Sequence, residues 1–213
     1  GLDDPTPIIE FLATHSLRAI AAADVRPRNI GSRRELFVDH FLIDQMTNTH
    51  LHLHDPRDEG TILSLNAPCE GPFSGYATVI KDGDRFLMYY RGVSEVGSDG
   101  GTHERTCMAT SADGLHWTKP ELELFEHNGS KSNNIVLTNA APITHNFCPM
   151  LDTRPGVPES ERFKAVGGTG RALFGLVSAD GLHWTKVRDE PILSDKEIPF
   201  PHVHMFDSQN LVF

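Results

Sequence analysis

Three polar residues stand at equivalent points of three similar segments: Ser74 in SGYATVI, His145 in HNFCPML and Asp207 in DSQNLVF. Each segment begins polar and turns apolar, so each is expected to be a strand whose polar start faces one mouth of a common axis. A hydroxyl, an imidazole and a carboxylate gathered there can move a proton or hold a hydroxyl-rich ligand. Tyr76, Asn146, Gln209 and Asn210 flank those positions and supply hydrogen bonds and a ring to stack on. Arg91 follows closely enough to reach the same mouth and bind an anionic or hydroxyl-bearing group. Acid/base cleavage of a glycosidic bond takes two carboxyl groups, one to protonate the leaving oxygen and one to act as nucleophile or to activate water. Asp207 is the acidic member of the aligned set. Glu70, in CEGPFSGY just ahead of the first segment, is the expected second carboxyl, and Asp152 falls at the far end of its strand.

The histidines divide differently. THLHLHDP at residues 49–56 alternates His and Leu, which predicts a strand with leucines inward and His50, His52 and His54 on the solvated face. No carboxylate or cysteine at ligand spacing accompanies them, so no metal is expected there. His202 and His204 precede Asp207 in an approach loop. Cys69, Cys107 and Cys148 show no CxxC spacing and are expected to be buried, unpaired thiols. Nucleotide-binding, GxSxG and zinc-hydrolase motifs do not occur. No cofactor is expected.

The elements that would position these residues are set by a repeat. SADGLHWTK occurs at residues 111–119 and again at 178–186, an offset of 178 − 111 = 67 residues. Asp-Gly supplies a tight turn and His-Trp-Thr favours a strand, so each copy is the hairpin corner of a repeated sheet unit, with Asp113 and Asp180 structural. In the first unit strands are expected at residues 74–80, 85–90, 105–110 and 134–137, and in the second at 145–151, 162–167 and 173–177. Four short antiparallel strands per unit describe a propeller blade. The third unit begins at Asp207, and two and a fraction blades leave open edges. The expectation is therefore an all-β chain forming the N-terminal part of a longer propeller.

Ahead of the blades, Thr6-Pro7 reads as a helix start, and apolar residues at helical spacing run to about Ala23. A basic, Pro- and Gly-broken linker follows. The expected domains are residues 1–34, helix and linker, and residues 35–213, the propeller part with a truncated third blade. A net charge of −10 argues against a nucleic-acid partner, and no apolar run approaches the roughly 18 residues of a membrane span. The expected compartment is extracytoplasmic, periplasmic or secreted, although residues 17–23, interrupted by Arg18, do not make a secretion signal.

ELFVDHFLID, CEGPFSGYATVIKDGDRFLMYYRG, the doubled SADGLHWTK, ELELFEHNGSKSNNIV, HNFCPMLD and FDSQN together resemble the five-bladed propeller proteins related to glycoside hydrolase families 32, 43 and 68. More narrowly, they resemble a hydrolase-like subgroup of that clan frequent in planctomycete-type bacteria. The resemblance covers about residues 35–213. It implies a partial five-bladed propeller, about two and a half blades of it present, an axial funnel, a carbohydrate substrate, and acidic residues on separate blades. Asp207, in Phe206-Asp207-Ser208, takes the place of the Asp in the family 32 Arg-Asp-Pro motif without its Arg and Pro. No Asn-Asp-Pro counterpart lies near Ser74. Glu70 in Glu-Gly-Pro resembles the acid-bearing motif of family 43, although it precedes the first blade. The implied function is a glycoside hydrolase acting by carboxylate acid/base chemistry at the axis, with the isolated segment expected to be inactive. The alternative is a non-catalytic propeller that binds glycan or protein.

Overall fold

The computed structural model describes residues 29–33, 35–36, 42–197 and 206–212. They fall into two units, Gly1–Arg57 and Asp58–Phe213. In the first unit the described backbone carries no strand or helix, and the expected strand at residues 49–56 does not form. Leu51 and Leu53 are exposed, Leu53 at 93%. Alternation makes a strand only where another strand takes up its backbone hydrogen bonds, and no described segment pairs with it. The rings of His52 and His54 instead meet edge to face, 4.8 Å apart. The expected helix at residues 6–23 lies outside the described residues, as do His202 and His204.

The second unit is all-β, built from two successive antiparallel sheets that are blades of a partial β-propeller. The first contains β1 (Gly75–Asp82), β2 (Arg85–Val93), β3 (Glu104–Ser111), β4 (Trp117–Thr118) and β5 (Ile135–Leu137). They run in the order β1-β2-β3-β4, with β5 also on β3. The second contains β6 (Cys148–Leu151), β7 (Phe163–Gly167), β8 (Ala172–Ser178), β9 (Thr185–Lys186) and β10 (Leu193–Ser194). Here β6 pairs with β7 and β7 with β8, while β9 and β10 both pair with β8. The first strands of the two blades, β1 and β6, lie against one another, and Thr78 Oγ1 sits 3.6 Å from Cys148 Sγ.

The repeated phrase folds as its composition predicts. Ser111 Oγ accepts from the backbone N–H of Gly114 at 2.8 Å, and Asp113 Oδ1 accepts from those of Leu115 and His116 at 2.9 and 2.8 Å. Ser178 and Asp180 repeat the arrangement with Gly181, Leu182 and His183. The N–H groups and the partner histidine hold the Asp113 carboxyl well below the usual carboxylate range. Burial opposes the same effect at Asp180, and the hydrogen bonds from His183 and Leu182 prevail.

The second corner also joins the blades. Tyr89 of β2, fully buried, donates its hydroxyl to Gly181 O at 3.0 Å. Gly181 has φ +77°, and a Cβ there would lie 2.4 Å from that hydroxyl, so glycine is required on both counts. Trp184 packs with Phe147, Tyr89 and Phe163 at ring separations of 5.0, 6.2 and 6.4 Å. Around them Ile80, Leu87, Met108, Val136, Leu137, Ile143, Ala165 and Leu176 fill the space between the sheets. At the β1–β2 turn, Asp82 of the first blade is reached by Arg162 of the second at 2.6 Å.

Strands β2 and β3 are buried on both faces. Met88, Tyr90, Cys107 and Ala109 point away from the second blade and are covered by Cys69, Ile135 and, partly buried, Leu63, Leu65, Trp117 and Phe125. A cavity of about 680 Å³ opens beside the second blade, bordered by the apolar Val166, Val187 and Ile192 and the charged Asp152, Arg154 and Lys164.

Two expected strand starts differ. His145 and Asn146 end a turn ahead of β6 and Phe147 stays outside the strand, because Asn146 has φ +56° and His145 N donates to Pro142 O at 3.0 Å. Residues 206–212 carry no strand, since no described segment offers them a partner ladder.

Candidate functional site

The antiparallel register brings one set of strand ends together. Gly75 pairs with Arg91, Arg91 with Thr106, and Val93 with Glu104, so the start of β1, the end of β2 and the start of β3 share one edge. The turn before β6 adds His145 to that edge. Its Nδ1 lies 2.9 Å from both Glu104 carboxylate oxygens, 2.8 Å from Arg91 Nη1 and 3.2 Å from the Gly100 backbone N. A protonated Nδ1 donates to Glu104, whereas a bare Nδ1 accepts from Arg91 or Gly100. One nitrogen cannot do both, so the proton's location selects the hydrogen-bond set. Arg91 also lies 3.7 Å from Glu104, and Gly100 N donates to Glu104 Oε1 at 3.1 Å. His145 and Glu104 are 1% and 2% exposed.

Above this buried triad sits an open rim. The guanidinium of Arg91 lies over the Tyr76 ring at 4.7 Å, and that ring remains 40% exposed. Tyr76 has φ +54° at a register shift in β1, and Asn146 and Phe206 have φ +56° and +67°. Left-handed backbone at non-glycine residues costs about 1–3 kcal/mol each and persists where surroundings impose it; all three flank this mouth. Asn146 Nδ2 donates to the Asp207 carbonyl at 2.6 Å, and Gln209 Nε2 donates to Thr78 Oγ1 at 2.6 Å. Asn210 Nδ2 donates to Ser208 O at 3.0 Å. The Asn146 and Gln209 amides hold the segment that carries Asp207 against the blade starts, while Asn210 bonds within that segment.

One ligand atom each from Asp99, His145 and Asp207 lie within 4.8 Å of one another, with both aspartates exposed. Such a set can hold a cation or serve as a proton-transfer group. Arg91 Nη1 stands 2.8 Å from Nδ1 and 3.4 Å from Nε2 of the imidazole, which opposes a cation at that ring. Asn146 Oδ1 and Arg91 Nε are buried without a partner among the described residues.

Of the residues expected at the mouth, Tyr76, Arg91, His145, Asn146, Asp207 and Gln209 are gathered there, while the Asn210 amide bonds within its own segment. Ser74 serves a turn instead: its Oγ accepts from the backbone N–H of Gly71 at 3.0 Å and of Val93 at 3.2 Å. Glu70 stands in a separate buried network. Its Oε1 accepts from Tyr90 OH at 2.5 Å, and its Oε2 from Lys119 Nζ at 2.6 Å and Ala67 N at 2.8 Å. Asn134 Nδ2 donates to the same phenol oxygen at 2.7 Å. Burial first, then the hydrogen bond to Glu70, push the Tyr90 phenol far above its ordinary value. Glu104 and Asp99 are additions from the structure.

No protein-family model matches the chain, and no curated protein matches it. Among solved structures it is similar to a glycosyl hydrolase from Bacteroides ovatus, at 16% identity and TM-score 0.39, over 60% of this chain and 35% of that one. It is similar to an N-acetylgalactosamine deacetylase from F. plautii in complex with blood group B trisaccharide, at 19% identity and TM-score 0.39, over 62% and 34% of the two chains. The chain thus spans about a third of the length of these proteins. Nothing about the site follows from a likeness this distant.

Proposed function

We propose that this chain contributes the axial site of a glycoside hydrolase of the five-bladed propeller clan, acting on an oligo- or polysaccharide by carboxylate acid/base chemistry. The observation that carries the reading is the grouping of Asp99 and Asp207 with His145, their ligand atoms within 4.8 Å, beside the half-open ring of Tyr76. Asp207 is the nucleophile or base and Asp99 the acid. Glu70, whose two oxygens are already occupied, supports the first blade. Tyr76 offers its free face to a sugar ring, and the Glu104–His145 pair orients the proton at the floor of the site. The reading includes blades beyond the two described sheets.

The test is a hydrolysis screen of the full-length protein against a glycan library. Asp207→Asn is expected to lower turnover of any substrate found about 100-fold, the lower range for a general acid/base group. Unchanged turnover removes Asp207 from the mechanism. One observation favours the second reading, a glycan-binding propeller: the buried carboxylates Glu104 and Glu70 are both held in ion pairs. On that reading the screen releases no sugar with or without Asp207→Asn, while a binding assay against the same glycan library finds a bound glycan.

A further inference from the structure

Cys69 and Cys107 lie on opposite sides of one packed layer, Cys69 in the segment leading into the first blade and Cys107 in the middle of β3. Their sulfurs are 3.8 Å apart, Cys69 is 1% exposed and Cys107 fully buried. Cys107 directs its S–H at Cys69 Sγ, and the Cys69 thiol reaches Asn134 Oδ1 at 3.3 Å. The layer closes tightly round them: a Cβ on Gly92 would lie 2.8 Å from Cys107 Sγ and 2.7 Å from the Cys69 carbonyl oxygen. Two sulfurs at van der Waals contact need only a side-chain rotation and a small backbone adjustment to reach bonding distance, about 2.05 Å.

We propose that Cys69 and Cys107 are a disulfide modification site, joined when the protein meets an oxidising thiol–disulfide couple. The hydrogen bond from Cys107 favours the Cys69 thiolate and holds its pKa below the ordinary thiol value; that contact and burial push Cys107 up. Cys69, in the segment ahead of the strands, can be uncovered without breaking a ladder, whereas Cys107 is paired on both sides in the middle of β3, so Cys69 is the attacking sulfur. On opening of the segment that covers it, its thiolate attacks a small disulfide, forming a mixed disulfide and releasing one thiol. Cys107 then gives up its proton and its sulfur attacks Cys69 Sγ, releasing the second thiol. Two protein thiols are oxidised to one disulfide while one small disulfide is reduced to two thiols.

The bond would span 38 residues and fasten the approach segment to β3. The approach segment carries Glu70 and runs through Gly71, whose N–H is held by Ser74 Oγ, and Ser74, whose Oγ also takes the Val93 N–H at the end of β2, into Tyr76. The link therefore stiffens the first blade on the side of the mouth. Cys148, whose sulfur meets the Thr78 hydroxyl, stays a free thiol.

The experiment equilibrates the reduced, full chain with oxidised glutathione, quenches with acid, denatures, alkylates and maps the peptides. The expected result is a single alkylated cysteine, Cys148, together with a cross-linked peptide containing Cys69 and Cys107. The oxidised form should melt about 10 °C higher than the reduced one, as closing a loop of this length predicts. Cys107→Ala should abolish the shift, and the wild-type peptide map decides the matter even if that variant fails to fold. Alkylation of all three cysteines, a stable glutathione adduct in place of the cross-link, or a bond to Cys148 overturns the proposal.

Discussion

Glu104→Ala is expected to cost about 3–5 kcal/mol of stability, the penalty for removing one member of a buried ion pair. The carboxylate is 2% exposed and is the counter-charge for Arg91, whose side chain is 12% exposed. It also takes the His145 Nδ1 contact and the Gly100 N–H. Alanine strands a guanidinium and a backbone donor in a space water scarcely reaches. Because His145 and Gly100 belong to two different loops of the mouth, the loss is local before it is global. Glu104→Gln keeps the shape and one acceptor oxygen, so its cost should be smaller. Urea denaturation of the two variants measures both; a Glu104→Ala midpoint equal to wild type would show that the triad contributes nothing to the fold.

Trp184→Ala is the second large effect, expected to cost about 3 kcal/mol, the lower end for a large aromatic because Trp184 is only partly buried. Its indole touches Tyr89 from the first blade and Phe147 and Phe163 from the second, and its Nε1 donates to Gly181 O at 3.0 Å. The same Gly181 oxygen takes the Tyr89 hydroxyl. Removing the indole therefore opens a void at the seam where the two sheets meet. The melting temperature should fall by about 6–12 °C for a domain of this size. A fall of less than 2 °C would mean that the blades are held by other contacts.

Much of the blade architecture could be read from the repeat, since Asp-Gly turns with Ser and Asp acceptors fold by local hydrogen bonds that need nothing from elsewhere in the chain. The aligned polar starts were informative for His145 and Asp207. Ser74 aligned equally well, yet it stops one residue short of β1 and its hydroxyl is consumed by the turn. Glu104 gives no local signal, because a Glu-Arg pair opening a strand looks like a solvated end. A signal is present: the corner pins Phe86 opposite Ser111, and counting seven residues forward along β2 and seven back along β3 pairs Val93 with Glu104 at the mouth. Glu70 misled in the opposite direction, because its partners Tyr90 and Lys119 lie 20 and 49 residues away and are not visible from local spacing. The His-Leu alternation at residues 49–56 showed a pattern without a pairing partner, and pattern alone does not make a sheet.

The most direct test of the axial site is a crystal structure of the full-length Asp207→Asn protein soaked with the best glycan from the hydrolysis screen. A sugar ring should lie on the exposed face of Tyr76, with a glycosidic oxygen about 3 Å from Asp99 or the residue at 207. A glycan bound in the open cavity of the second blade, with the Tyr76 face bare, would contradict the assignment.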